Sequence, residues 1–497
     1  MNELNTLLDK IRKNSTIKEA EILSHSKYFN EKDMITTNIP ALNVALSGQL
    51  DGGFVPGITL WCGPSKMGKS FFSLLMAKAY MDKYPDAVCI FMDCEFGIPT
   101  QYFVKLGIDM DRVVHVPIMN IEEFKFYTMK QLDGLTRNDR VVFVVDSLGN
   151  MASVKSQTDA IDGKDKTDMT RAKELRSIFR MITPYLNKLN IPFIAVNHVY
   201  LEQGCCFSGT LIKTINGTKP ISEIEIGDRV YGTTGVHAVD HVFYPKDLDA
   251  SDKIFLELSF DDGSTVKCTG NHKFLTAIPW EEEDEWEWKP AQEMTIGDQF
   301  FGSNLKLTGI RVVDPFPIYD ISVPVDHCFE LDNGIMAHNS MYPKAIVAGG
   351  QGVYLSSDTI FVMGRQQEKE GTDVTGYNFI INVEKSRYVR EKSKIPINMM
   401  FEKGISKYSG LIDMALESGD VVKPAMGWYS RVDNTTGEME AKKWRLKDTG
   451  TKEFWEPILN SEKFQNWIKN NYQVSAGTML TDEVIDSELD EIEEDDD

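Results

Sequence analysis

Ile58-Thr59-Leu60-Trp61-Cys62 runs directly into Gly63-Pro64-Ser65-Lys66-Met67-Gly68-Lys69-Ser70. The first five residues are a short apolar strand. The next eight fit G-x-x-x-x-G-K-[ST], and the chain beyond Ser70 has the composition of a helix. A glycine-rich turn between a buried strand and a helix N-terminus offers backbone N–H groups to phosphate oxygens, brings Lys69 to the β and γ phosphates and gives Ser70 to Mg²⁺. ATP and Mg²⁺ are therefore the expected cofactors, with Gly63, Pro64, Ser65, Lys66, Met67, Gly68, Lys69 and Ser70 forming the cradle.

Outward from this stretch the same texture repeats. Ala87–Met92, Arg140–Val145 and Pro192–Val196 are near-continuous apolar runs, which a sheet buried on both faces requires, and the segments between them have helical character. The expected class is α/β, with a central, largely parallel sheet. Asp146 ends one run at the carboxyl edge of the sheet, where a carboxylate can hold Mg²⁺ through water. Glu95 ends another, in Met92-Asp93-Cys94-Glu95-Phe96-Gly97, and is the candidate to orient or deprotonate an attacking water.

Composition sets the outer limits. With 497 residues, 42% of them hydrophobic, the chain can build several cores, and no apolar run approaches the ~20 residues of a bilayer span. A cytoplasmic protein without a membrane partner is expected; the first ten residues lack the layout of a signal peptide. Seven sparse cysteines without a CxxC pair suit neither a disulfide framework nor structural zinc. Fifty-three basic against 75 acidic residues give a net charge of −22, which argues against coating duplex DNA by bulk charge but leaves local basic sites open. One such site is Lys385-Ser386-Arg387-Tyr388-Val389-Arg390-Glu391-Lys392-Ser393-Lys394. From Asp482 onward the charges are all acidic, as in a disordered, self-repelling tail.

From about residue 205 to 340 strands become short, glycine turns appear and helical periodicity vanishes, so an all-β unit interrupts the α/β domain. Inside it, Pro220–Gly232 and Pro290–Gly302 share an Ile-Gly-Asp-centred pattern, the mark of duplicated units about a pseudo-twofold axis. After Ser340 the α/β texture resumes, with strands expected at Thr359–Met363 and Asn378–Val383.

Together with Phe29–Asp33, Tyr84–Cys89, Asp146-Ser147-Leu148-Gly149-Asn150, Asp168–Lys173 and Val383–Arg387, the phosphate loop and the Glu95 segment resemble the RecA-type recombinases, most closely the UvsX family of T4-type phages. The resemblance covers 1–204 and 340–497. It implies a RecA-like P-loop ATPase that filaments on single-stranded DNA, pairs it with double-stranded DNA and exchanges strands, aided by single-strand-binding and mediator proteins, in a host bacterial cytoplasm. It further implies that Tyr102 stacks near adenine, that His198 senses the γ-phosphate for the DNA-binding loop after it, and that Lys385 and Arg387 reach the ATP of a neighbouring protomer. Residues 1–30 would dock on that neighbour. The 150–169 loop and the segments near Gly204 and 340–352 would line the DNA groove. A RecA-fold motor without strand exchange is the competing reading.

Cys205 with Thr210, Thr269-Gly270-Asn271-His272, Tyr319-Asp320-Ile321, His327-Cys328-Phe329 and His338-Asn339-Ser340 resemble, in order, the motifs of a protein-splicing intein, which implies the horseshoe-shaped, all-β Hedgehog/intein fold. Each residue type suits a step. Cys205 can take the Gly204 acyl group, His272 can protonate the departing nitrogen while Thr269 positions the bond, and Ser340 can attack the thioester. Asn339 can cyclise with help from His338 and His327, Asp320 orienting groups between the junctions. Counting to Thr210 favours Cys205 over Cys206 as first residue. No segment is long enough for a homing endonuclease, so a mini-intein at 205–339 is expected, or else a β domain that never splices. The organisation then reads 1–30 oligomerisation segment, 31–204 and 340–420 ATPase core, 421–480 C-terminal region and 481–497 acidic tail.

Overall fold

The computed structural model describes residues 2–17, 19–26, 28, 33–163, 170–202, 204–245, 253–278, 286–339, 344–348, 350–370, 373–433 and 436–474. Ser340, the acidic tail and parts of the 150–169 and 340–352 loops lie outside them. The chain forms two compact units, one from 1–199 with 347–497 and one from 200–346.

The first unit is built on strands β1 (Gly57–Cys62), β2 (Val88–Asp93), β3 (Val113–Pro117), β4 (Val141–Asp146), β5 (Pro192–Asn197), β6 (Thr359–Glu370), β7 (Asp373–Ser386), β8 (Lys394–Met400) and β9 (Gly404–Ile405). They lie in the order β9-β8-β7-β6-β1-β5-β4-β2-β3. Pairing is parallel from β6 through β3 and antiparallel from β6 to β9. The sheet is thus closed across the interruption, since β1, from before it, pairs in parallel with β6, from after it, Thr59 opposite Thr359.

Alternation along β1 splits the core into two faces. Trp61 points to one, packed on Phe72 and Phe361 at ring separations of 5.2 and 4.5 Å, while Ile58, Leu60 and Cys62 join Phe143, Phe179 and Phe193 on the other. Trp61 is fully buried, so its truncation to alanine costs roughly 3–5 kcal/mol. Strands β6 and β7 run well past the expected Thr359–Met363 and Asn378–Val383. Their outer ends, Gly364–Lys369 and Asp373–Tyr377, are half-exposed or exposed except at Gly376 and mostly polar, with no buried apolar side chain, and so carry no apolar run. Strand β3 was hidden for the same reason: it is a largely exposed edge strand.

In the second unit, Phe255–Phe260 pairs with Thr265–Thr269 and Leu307–Val312 around Leu258, Phe260, Phe274, Phe300 and Phe329. The duplicated pattern has a physical counterpart. After each proline comes a one-turn helix, Ile221–Glu223 or Ala291–Glu293, and each Ile-Gly-Asp aspartate takes a lysine at 2.8 Å, Lys219 to Asp228 and Lys289 to Asp298. Those lysines precede the repeated prolines and lay outside the pattern legible in the sequence. The flanks Val199–Glu202 and Lys344–Val347 pair with each other, which carries the β unit beyond 205–339 on both sides. Among the described residues no helix is long and apolar enough to cross a membrane.

Candidate nucleotide site and splice junction

The phosphate loop turns on two glycines in left-handed or extended positive-φ geometry, Gly63 (φ 149°) and Gly68 (φ 79°), and the helix Lys69–Lys83 starts at once. A side chain at Gly68 would put its Cβ 2.8 Å from the Phe379 ring, so glycine is required there on two counts. Lys69 is buried, donates to the Pro64 carbonyl at 2.7 Å, and has its pKa lowered by burial against the pull of Asp146 and Glu95. Asp146, at the carboxyl end of β4, interacts with the Ser70 hydroxyl; burial lifts its carboxyl to about 6, more than that hydrogen bond lowers it. A buried lysine and a buried acid at a helix N-terminus fit a phosphate with its divalent cation, which would replace the solvation that both have lost. Lys69 and the loop amides would hold the phosphates, and Ser70 with Asp146 the Mg²⁺.

Glu95 follows β2 in a turn that Asp93 fixes by accepting the N–H groups of Glu95 and Phe96 at 3.1 and 2.7 Å. Its Oε1 gathers three groups: the Ser147 hydroxyl, Asn150 Nδ2 at 2.9 Å and His198 Nε2 at 3.5 Å. His198 lies flush on Gly149, where a Cβ would come within 2.1 Å of its ring. Burial lowers its pKa, with Lys69 adding and Glu95 opposing. Ser147 and Asn150 as holders of Glu95 were not singled out in the sequence, although both stand in the Asp146–Asn150 motif.

The structure gathers Lys69, Ser70, Asp146, Glu95 and His198, but not the other three expected nucleotide contacts. Tyr102 is exposed on the helix Thr100–Leu106. Lys385 donates to the Tyr354 and Leu355 carbonyls at 2.8 and 3.1 Å. Arg387 pairs at 2.7 Å with Asp358, whose other oxygen accepts the Ile58 N–H. Ile58 and Asp358 mark the starts of β1 and β6, whereas the phosphate loop follows the end of β1. A six-residue strand, roughly 20 Å, separates Arg387 from the phosphate loop.

In the β unit, the two junctions carry their own hydrogen bonds. Cys205 N–H donates to Thr269 Oγ1 at 2.9 Å, Thr269 N–H returns to the Cys205 carbonyl at 2.9 Å, and Thr269 Oγ1 donates to Asn271 Oδ1 at 2.7 Å. His272 is fully buried, with Nδ1 turned to the Gly204 backbone short of full hydrogen-bond geometry and Nε2 3.4 Å from Cys206 Sγ. Burial brings its pKa down to about 3, the Gly204 backbone pulling it back only in part. Burial also pushes the Cys205 thiol far above its usual range, and the nearby Asp320 carboxylate, itself fully buried, pushes it further. At the far junction Asn339 is fully buried. Its N–H donates to the His327 carbonyl at 2.9 Å, its Nδ2 reaches the Val323 carbonyl at 3.4 Å, and its Oδ1 has no partner among the described residues. His338 stands edge-on to Trp288 at 4.8 Å, and burial lowers its pKa to about 4. His327, in left-handed geometry at φ 54°, meets Asn339 through its backbone.

Residues 408–468 match the family model described as "Bacteriophage T4, Recombination and repair protein, C-terminal domain". The "Recombination and repair protein" of Enterobacteria phage T4 is 34% identical over 493 residues, 98% of this chain and 91% of the relative. The chain belongs to the UvsX family of T4-type phage recombinases. A UvsX-family recombinase is a RecA-like ATPase, and "Protein RecA" of Colwellia psychrerythraea is 25% identical over 260 residues, 49% of this recombinase and 72% of that protein. Among solved structures, the gp41-1 intein is 26% identical with a TM-score of 0.23, covering 27% of this recombinase and 98% of the intein. A DnaB intein from Synechocystis sp. PCC 6803 is 23% identical, TM-score 0.23, covering 28% and 99%.

Proposed function

We propose that this chain is the precursor of an ATP-dependent recombinase that filaments on single-stranded DNA and promotes pairing and strand exchange with duplex DNA, and that its β unit excises itself by protein splicing. The recombinase half rests on the convergence at Glu95. Lys69 would hold the phosphate end, Ser70 and Asp146 would hold Mg²⁺, which would offset the phosphate charge, and Glu95 accepts a proton from the attacking water while Ser147 and Asn150 fix its carboxylate. His198 couples this carboxylate to the segment after β5. Lys385 and Arg387, held at the opposite edge of the sheet, act on the nucleotide of an adjacent protomer, which makes hydrolysis dependent on assembly; Tyr102 stacks on the base. DNA-stimulated ATP hydrolysis that vanishes in Glu95→Gln, with single-stranded DNA binding retained, tests this half.

The splicing half rests on the bond between the Cys205 amide and Thr269. Cys205 Sγ attacks the Gly204 carbonyl carbon as its S–H bond breaks; the carbon–nitrogen bond breaks, the nitrogen leaves as an amine with a proton from His272, and the proton given up by the thiol restores the neutral ring, giving a thioester. Ser340 Oγ attacks that carbon and releases the Cys205 thiol. Asn339 Nδ2 then attacks its own carbonyl carbon, closing a succinimide and freeing the Ser340 amine, with His338 and the His327 turn holding the amide. An O-to-N shift leaves an ordinary Gly204–Ser340 peptide. The insertion follows His198 by six residues, so excision restores the segment through which His198 acts. Intact mass of the expressed chain tests this half. Two shorter species and a Gly204–Ser340 junction peptide are expected, against a single full-length species in a Cys205→Ala, Asn339→Ala control.

A further inference from the structure

The geometry points to Cys206 as the positioning residue that fixes the tautomer of His272, by donating its S–H to Nε2 and leaving the ring proton on Nδ1, toward the Gly204–Cys205 peptide. The inference rests on the splicing reading and adds to it a residue outside the expected catalytic set. Three observations carry it.

The first is the contact itself. Cys206 Sγ lies 3.4 Å from His272 Nε2, and both residues are fully buried. The rest of the ring is enclosed by apolar groups, Phe274 edge-on at 4.9 Å and Phe329 at 6.4 Å, so Nε2 has the sulfur as its polar neighbour among the described residues.

The second is the state of the sulfur. Burial, with Cys268, Asp320 and Cys205 nearby, holds the Cys206 thiol well above its usual range. It is an S–H, and toward a neutral imidazole an S–H donates. A neutral imidazole carries one proton, so a nitrogen that accepts at Nε2 leaves the proton at Nδ1.

The third is register. Cys206 faces Cys268 across antiparallel strands, and the neighbouring bond from Thr269 N–H to the Cys205 carbonyl makes this a non-hydrogen-bonded pair, with Cα atoms about 4.5 Å apart. Alternation then sends Cys205 and Cys206 to opposite faces of the strand. Cys205 meets the scissile bond through its amide while Cys206 meets the ring that serves it. Two adjacent cysteines divide nucleophile and positioning roles by the period of a strand, which also accounts for a second cysteine that the splicing chemistry does not consume.

The test uses the full chain carrying Asn339→Ala and Ser340→Ala, so that the N-to-S shift is read alone, as release of residues 1–204 by added dithiothreitol, with ¹⁵N signals of the histidine ring nitrogens measured on the same protein. Cys206→Val is expected to slow release about tenfold or more, to alter its pH profile and to move the His272 signals toward a tautomer mixture. Cys206→Ser, which keeps a donor, restores most of the rate and the signals. Release and signals unchanged in Cys206→Val overturn the inference, as does loss in both variants while the other histidine signals show an intact fold. If dithiothreitol releases nothing even from the parent, the splicing reading fails. The ring signals then decide the Cys206 contact by themselves: moved by valine and restored by serine, it stands, and unmoved, it falls.

Discussion

Between the Cys205 amide and the Thr269 hydroxyl runs a 2.9 Å hydrogen bond, and Thr269 N–H answers it with another to the Cys205 carbonyl. The two bonds hold the peptide planes on either side of Cys205, the Gly204–Cys205 plane through its N–H and the Cys205–Cys206 plane through its carbonyl. Thr269→Val removes the hydroxyl at constant shape and strands a buried N–H, a loss of roughly 1–3 kcal/mol. Thiol-induced cleavage at the first junction should fall roughly five- to a hundredfold, measured by intact mass against time, while Asn339 cyclisation proceeds. Unchanged cleavage would remove Thr269 from the set.

Gly204 is packed closely against His272. A Cβ there would lie 2.7 Å from His272 Cα and 2.9 Å from its Nδ1. Neither neighbour is the loose end of a flexible side chain, so the ring or the scissile peptide must shift. Gly204→Ala should slow the first step at least tenfold, since a displacement of an ångström at reacting groups costs about a hundredfold. Splicing at the parent rate from an alanine junction would show that the ring yields freely.

The buried histidines make the β unit sensitive to acid. His272 and His338 have folded pKa values of about 3 and about 4, against about 6.5 in the unfolded chain. Below 6.5 the unfolded state binds protons that the folded state refuses, so stability is full above that pH and is lost progressively as pH falls toward 4 and then 3. His272→Gln should flatten the acid limb of the thermal transition of a splicing-inactive precursor. A limb of unchanged slope in the variant would mean that His272 is not the group refusing the proton.

What the sequence shows and what it hides follow from how local each signal is. The phosphate loop, Asp146 and Glu95 were legible because each is a strand end followed by a turn of fixed chemistry, whereas the splice motifs were legible through their resemblance to those of an intein. The holders of those residues were not. Ser147 and Asn150 reach Glu95 across more than fifty residues, Asp358 takes Arg387 at the base of the sheet, and the Val323 carbonyl, just past the strand Ile318–Ser322, meets Asn339. Such contacts are set by sheet order and register, which apolar periodicity leaves undetermined. Exposed β3 and the distal halves of β6 and β7 escaped for a different reason, because strands outside the core need no apolar run.

Asp146 gives the nucleotide site a measurable cost. Its folded pKa of about 6 stands above the ordinary carboxylate value near 4, so the folded state binds the extra proton. Stability from that proton is fully present below about pH 4 and is lost as pH rises through 6, an order-of-magnitude penalty of about 2–3 kcal/mol at neutral pH. Asp146→Asn removes the ionisation. It should therefore raise the melting temperature of the ATPase unit at pH 8, raise it about half as much at pH 5, and lower DNA-stimulated ATP hydrolysis by a hundredfold or more. Adding Mg²⁺ with ATP should favour the parent, because a cation beside the carboxylate repays the charge that burial penalises, and the variant should gain little from it. A stability difference that is the same at pH 5 and pH 8 would show that the carboxyl is not held in this state, and a variant that hydrolyses ATP at the parent rate would take Asp146 out of the cation site.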